Sequence, residues 1–254
     1  RLYERARILG CDAIVTGHYA RIEQENGRWL LKKSLDESKD QSYVLYSLTQ
    51  DQLAHTRLPL GAMHKSETRR IAEEQGFYNA DKPDSQDICF VPDGDYAGFI
   101  ARYTGRDCPA GDFVDESGRV LGRHKGIVHY TVGQRKGLGI GGRKESLFII
   151  ATDVDNNVIY VGEGDSHPGL YRRALRIETD TLHWIDPAEA MQAGERRPYQ
   201  VRIRYRQPLQ QAELIARADG MYILFAESQR GIAAGQFAAW YDGDRLAGSG
   251  AIEK

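Results

Sequence analysis

Residues Leu2–Tyr19 read LYERARILGCDAIVTGHY. Leu2–Leu9 has helical patterning and stops at Gly10, a residue suited to the left-handed position that closes a helix. Ala13-Ile14-Val15-Thr16 follows as a short apolar run. A helix feeding an uninterrupted apolar strand predicts a strand buried on both faces of a parallel sheet. That strand ends at Gly17-His18-Tyr19, and open α/β sheets bind ligands at the carboxyl ends of their strands. The chain therefore begins as α/β, with a ligand expected near Gly17.

Working outward, Arg28–Lys33 reads as a strand after the Asn26-Gly27 turn. Gln50–His55 and Lys65–Gln75 read as helices, the second capped by Ser66 and closed by Gly76. Beyond Asp95 the character changes. Helical periodicity fades after Tyr96–Tyr103, and short β-type runs recur between Gly, Asn and Asp. These runs are Ile127–Thr131, Leu147–Thr152, Val158–Val161, Gln200–Arg204, Gln211–Ala216, Met221–Phe225 and Phe237–Tyr241. Such spacing predicts small sheets or barrels, with Pro168-Gly169 as a boundary between two of them. The fold class is α/β plus β. An incomplete parallel-sheet domain spans 1–95, a small central basic β domain 96–167, and a C-terminal β-barrel 168–254. The α/β part has about one clear parallel-type strand where such a sheet needs several. The chain opens at Arg1, inside a helical pattern, and its first methionine is Met63. The expectation is a fragment whose natural N-terminus lies upstream.

Apolar residues make up 41% and charged residues 28%, the balance of a globular protein. No apolar run approaches about 18 residues, so no membrane span is expected. No charged segment leads into an apolar one as a signal peptide would. Three cysteines exclude a disulfide scaffold and suggest a reducing cytoplasm. The net charge of −2 conceals an asymmetry. Arg119–Lys144 holds seven cations, seven glycines and no acid, leaving −9 on the rest of the chain. Arg196–Arg206 adds five arginines and no acid. Cations neutralise phosphates and glycine lets a backbone approach closely, so these two runs suggest a localised polyanion site. The competing reading is a solvated face.

Asp84-Ser85-Gln86-Asp87-Ile88-Cys89-Phe90 is the most unusual segment. A single Cys beside Ile and Phe is ordinarily a small buried hydrophobe, and its acidic neighbours disfavour a thiolate. Cys11 reads as packing, and Cys108 has no evident role. There is no CxxC pair or zinc spacing, no nucleophile elbow, no Walker A motif, and no Gly-x-Gly-x-x-Gly after a strand. No metal site is expected. Gly137-x-Gly139-x-Gly141-Gly142 is glycine-rich but lies in the basic β module. His18 stands at a strand end, where a lone His is commonly structural. Lys39-Asp40-Gln41-Ser42-Tyr43 is a polar loop that offers an amide and a cation to base edges or phosphate, or simply to solvent.

Several segments together carry a resemblance. They are Thr16–Arg21 (TGHYAR), Lys39–Tyr43 (KDQSY), Asp84–Phe90 (DSQDICF), Tyr130–Gly139 (YTVGQRKGLG), Arg202–Arg206 (RIRYR), and Ala234-Gly235-Gln236 before Tyr241–Asp244 (YDGD). In this order, from near Arg1 to Lys254, the chain resembles the tRNA-specific 2-thiouridylase family (MnmA, also called TrmU). The resemblance implies a PP-loop ATP-pyrophosphatase domain, a small central β domain and a C-terminal β-barrel. It implies ATP, with Mg as the nucleotide's counter-ion, adenylating the C2 oxygen of the tRNA wobble uridine, and a cysteine persulfide replacing that oxygen by sulfur. The persulfide carrier falls on Cys89 and an ATP contact on Gly17. tRNA contacts fall on His18, on Lys39, Asp40 and Gln41, on Arg204 and Tyr205, and on Gln236. The implied partners are tRNA and a persulfide sulfur-donor protein of a cysteine desulfurase relay, in the cytoplasm and without a membrane. The chemistry is consistent, because an amide oxygen is a poor leaving group until activated, and loop bases are read by stacking and polar contacts. The family's SGGxDSS phosphate loop and first catalytic cysteine do not occur here, and the expectation is that this chain alone does not complete thiolation. The alternatives are a non-catalytic tRNA-binding module, or a PP-loop enzyme for a small molecule, which the basic β modules argue against.

Overall fold

The computed structural model describes residues 2–78, 80, 91, 95–105 and 108–253. Cys89, the expected sulfur carrier, lies outside the described residues. The chain forms two compact units. The first comprises Arg1–Lys82, Ala174–Glu227 and Ala234–Lys254; the second comprises Pro83–Arg173 and Ser228–Ala233.

The first unit begins with helix α1 (Leu2–Ile8) and strand β1 (Ile14–Val15). A hairpin follows, β2 (Ala20–Glu25) and β3 (Arg28–Lys33). Its turn, Asn26-Gly27, has φ of 50° and 78°. Both residues are left-handed, as the twist of a two-residue hairpin requires. Next come α2 (Gln50–Ala54), β4 (Thr56–Arg57) and α3 (Lys65–Glu74). β1 and β4 pair in parallel, with Ile14 opposite Thr56.

The second unit holds α4 (Tyr96–Thr104) and strands β5 (Gly111–Val114), β6 (Val120–His124), β7 (Leu147–Asp153) and β8 (Val158–Glu163). They form one sheet in the order β6-β5-β8-β7, with β5 and β8 parallel. Phe113, Leu147, Ile149, Ile159 and Val161 are its buried core. His124 is buried beside them. Its Nδ1 accepts the Gly126 N–H at 3.1 Å, which leaves Nε2 to donate to the Asn157 carbonyl at 3.1 Å.

The chain returns to the first unit within β9 (Tyr171–Ile177), and continues with β10 (His183–Trp184), β11 (Arg196–Arg202), β12 (Gln210–Arg217), β13 (Gly220–Arg230), whose last three residues are counted with the second unit, β14 (Phe237–Asp242) and β15 (Arg245–Ala251). On β13 the buried residues Met221, Ile223 and Phe225 alternate, the period-two signature of a strand with one face inward. The sheet order is β2-β3-β15-β14-β11-β12-β13-β9, with β10 also on β15. A bridge between Ile177 and Ile252 brings β9 back to the end of β15 and closes the barrel. The early hairpin is thus an extension of the late barrel, with Leu31 opposite Leu246. Ala20, Leu31, Leu53, Ile185, Ala239, Tyr241 and Leu246 share one core.

Four expectations need correction. Val15 is 67% exposed, so β1 is not buried on both faces; its one pairing among the described residues is β4. Cys11 is exposed rather than packed, because it follows a helix with no buried residue. Ile127–Thr131 is not a strand. Gly126, at φ 119°, turns the chain into a 3-10 turn over Ile127–His129. Ser66 does not cap α3. The cap position is His64, and the Lys65 N–H is taken instead by Asp36 Oδ2 at 3.0 Å.

A candidate nucleic-acid interface

Four segments distant in sequence meet in the first unit. The end of β1 turns through Gly17 into β2. Thr16 Oγ1 lies 2.9 Å from His18 Nδ1, which fixes the ring of a half-buried His18 beside an exposed Gly17. The next residue, Tyr19, is clasped by Gln41. Its N–H donates to Gln41 Oε1 at 2.9 Å, and its carbonyl accepts the Gln41 N–H at 2.7 Å. The polar loop is therefore tied to the strand end that precedes β2.

Asp40 sits inside that loop. Its Oδ1 accepts from the main-chain N–H groups of Ser34 at 3.2 Å and Ser42 at 3.1 Å; its Oδ2 accepts the Ser42 hydroxyl at 3.0 Å. Arg202, the last residue of β11, points its guanidinium at the same carboxylate, 3.3 Å away. The two side chains are 10% and 3% exposed. The guanidinium also lies 4.9 Å from the Tyr241 ring centroid, and its NH1 donates to the Tyr205 carbonyl at 3.4 Å. A buried charge persists only when paired and hydrogen-bonded. Asp40 supplies the charge, and the pairing anchors the turn that carries Arg204 and Tyr205. Ser42 Oγ is 3.1 Å from the Tyr241 hydroxyl, joining loop and barrel a second time.

An aromatic group continues the contact. Tyr43 and Tyr205 have ring centroids 6.2 Å apart, and Tyr46 stacks on Phe237 at 4.1 Å. Burial pushes Tyr43 up to about 12. It stays protonated and donates to the Phe237 carbonyl at 2.8 Å. Gln236, immediately before Phe237, is exposed; its carbonyl accepts the Ile252 N–H at 2.7 Å. The structure thus gathers the neighbourhoods of His18, Lys39, Asp40, Gln41, Arg204, Tyr205 and Gln236. Arg204 and Gln236 are exposed and Lys39, His18 and Tyr205 half-buried, whereas Asp40 is committed to internal bonds.

The basic runs look different in three dimensions. Arg196 pairs with Glu213 at 3.4 Å, Arg197 with Glu195 at 2.6 Å, and Arg202 with Asp40. Glu213 on the neighbouring strand β12, Glu195 just before the run and Asp40 in the polar loop supply the acids that the linear run lacks. Sequence reasoning missed Arg202 as a buried anchor, and also missed Ser42 and Tyr241. The signal for Arg202 was faint, since it stands among arginines that differ from it only in burial.

Comparison with known proteins assigns the family. The model of the tRNA methyl transferase HUP domain matches residues 1–93. That of the tRNA methyl transferase PRC-barrel domain matches 97–163, and that of the aminomethyltransferase β-barrel domain matches 174–252. A tRNA-specific 2-thiouridylase MnmA of Clostridioides difficile (strain 630) is 44% identical over 255 residues, covering 99% of this chain and 68% of the relative. The MnmA of Christiangramia forsetii is 40% identical, covering 96% of this chain and 71% of the relative. The MnmA of Clostridium acetobutylicum is 41% identical, covering 99% and 69%. At these identities and spans, the chain belongs to the tRNA-specific 2-thiouridylase (MnmA) family.

Proposed function

We propose that this chain docks tRNA and carries sulfur for 2-thiolation of the wobble uridine. The observation that carries the reading is the convergence of His18, Lys39–Gln41, Arg204-Tyr205 and Gln236 through the Tyr19–Gln41 clasp and the Asp40–Arg202 pair. Exposed Arg204 and Gln236 offer a cation and an amide to phosphate and base edges, and half-buried His18 and Tyr205 offer rings for an unstacked base. Asp40 and Arg202 hold this surface in register.

ATP supplies the activation that makes the C2 oxygen a leaving group. Gly17 suits close approach of the nucleotide. It is exposed at the end of β1, and a Cβ built there would meet Leu60 Cδ1 at 3.6 Å, an ordinary contact, so packing alone does not demand a glycine. We assign magnesium to the nucleotide's phosphates, as their counter-ion. Cys89 is proposed as the persulfide carrier, charged by a donor protein of a cysteine desulfurase relay. The motif SGGxDSS does not occur in the 254 residues, and the proposal is that they do not complete thiolation unaided. A cytoplasmic setting fits the cysteine usage, and among the described residues no helix is long and apolar enough to cross a membrane. We propose the modules 1–95, 96–167 and 168–254 as the division of the sequence.

The test is mass spectrometry after incubation with a cysteine desulfurase and its relay. A persulfide on Cys89 that disappears in Cys89→Ser supports the carrier role; an adduct retained in Cys89→Ser overturns it.

A further inference from the structure

The second unit carries a feature that the site above does not use. Between Gln134 and Leu147 the chain crosses the surface as a loop. Gln134 braces its start: its Oε1 accepts the Thr131 N–H at 3.0 Å, and its Nε2 donates to the Lys136 carbonyl at 2.9 Å. Leu138, 7% exposed, pins the middle into the core with Ile140 packed beside it. The rest of the loop is exposed. Gly137, Gly139 and Gly142 have φ of 81°, 70° and 75°, so the peptide planes turn repeatedly. Among the described residues, the main-chain N–H groups of Gly137 through Lys144 donate to no protein acceptor. Arg135, Gly137, Gly139, Gly141 and Ser146, with Leu138 and Leu147, line a cleft of about 430 Å³. Arg143 is partly neutralised by Glu163 at 3.8 Å. Arg135, Lys136 and Lys144 have no carboxylate partner among the described residues.

Unused N–H groups in a chain of alternating handedness form a concavity for anions, and unpaired cations at its edge add long-range attraction. We propose that this cleft is a phosphate site which takes backbone phosphates of the RNA substrate. The proposal rests on the reading of the chain as a tRNA-acting protein, and adds a subsite in the second unit to the surface in the first. The same oxyanion chemistry would suit a free phosphate compound, and the experiment separates the two sources.

Two variants of the full chain test it. Arg135→Gln/Lys136→Gln/Lys144→Gln removes three exposed charges. Gly141→Leu fills the cleft; a Cβ at Gly141 meets nothing within 4 Å and its φ is ordinary, so the fold accepts it. Both variants are expected to melt as the wild type does. The triple variant should lower the slope of log affinity for tRNA against log salt by about two to three, counting about 0.7–0.9 per phosphate. Gly141→Leu should weaken tRNA binding by about tenfold at low salt. Wild-type affinity and slope in both variants overturn the proposal. Saturable binding of inorganic pyrophosphate that Gly141→Leu abolishes, with tRNA affinity unchanged, also overturns it, in favour of a free phosphate ligand. A wild-type chain that binds no tRNA even at low salt overturns the functional reading itself.

Discussion

Arg202 and Arg204 are two positions apart and lead opposite lives. The first is buried against Asp40 and the Tyr241 ring; the second is exposed. Arg202→Met therefore strands a buried carboxylate and should cost about 3–5 kcal/mol, with Arg202→Met/Asp40→Asn recovering a large part. Urea midpoints decide this, and equal midpoints for the single and double variants would contradict it. Arg204→Ala should leave the midpoint in place and weaken tRNA binding by about tenfold, the scale of one charge-assisted hydrogen bond. Loss of cooperative melting in that variant would mark the residue as structural. Asp36 gives a prediction in pH. The Ser38 hydroxyl and the main-chain N–H of Lys65 hold its carboxyl below the usual aspartate value of 3.8. A lowered folded value means that the folded state favours the carboxylate. Its contribution is complete above the unfolded value and fades as pH falls through the folded one. The gap in denaturant midpoint between wild type and Asp36→Ala should hold from neutrality to about pH 5 and narrow below about pH 4. A gap unchanged at about pH 3 would refute the assignment.

The element that sequence reading placed well, and understood least, is β3. Its residues Arg28–Lys33 and its Asn26-Gly27 turn follow from local pattern. Its pairing with β15 does not, because a hydrophobic alternation names a face and not a partner. Leu31→Ala should cost about 2–5 kcal/mol. Amide exchange should then quicken on β15 around Leu246 as well as on the hairpin; quickening confined to the hairpin would deny the shared core. β15 itself, RLAGSGA, is poor in strand formers and went unread. Its glycines are there for proximity. A Cβ at Gly248 would lie 2.7 Å from the Trp240 indole, and one at Gly250 2.3 Å from Ile177 Cγ2. Small residues that admit a neighbour look like loop residues until the neighbour is known. The reverse error occurred at Ile127, where β-branched residues suggested a strand and Gly126 turned the chain away. In the candidate site, the exposed positions proposed as contacts stand in motifs that the sequence itself displays. The burial of Asp40 was not, because its counter-charge comes from a strand far along the chain.

At the scale of the whole molecule, a net charge of −2 conceals how differently the two basic runs are used. Cations in the first unit's basic run are largely spent on Glu213, Glu195 and Asp40, whereas Arg135, Lys136 and Lys144 of the second are not. The division into units can be tested optically. Trp29, Trp184 and Trp240 all belong to the first unit. Phe113→Ala, at a fully buried position of the second, should cost that unit about 3–5 kcal/mol. Amide exchange at Ile149 and Val161 should register the loss while the tryptophan denaturation midpoint stays put; a shared shift would argue for one cooperative block. The early hairpin has a further consequence, for biosynthesis. Arg21 bonds Asp244, 223 residues further on. At about 5–20 residues per second, a ribosome leaves that gap open for on the order of ten to forty-five seconds. Throughout that interval the nascent hairpin presents an unsatisfied edge, a natural client surface for a chaperone until the final strands emerge.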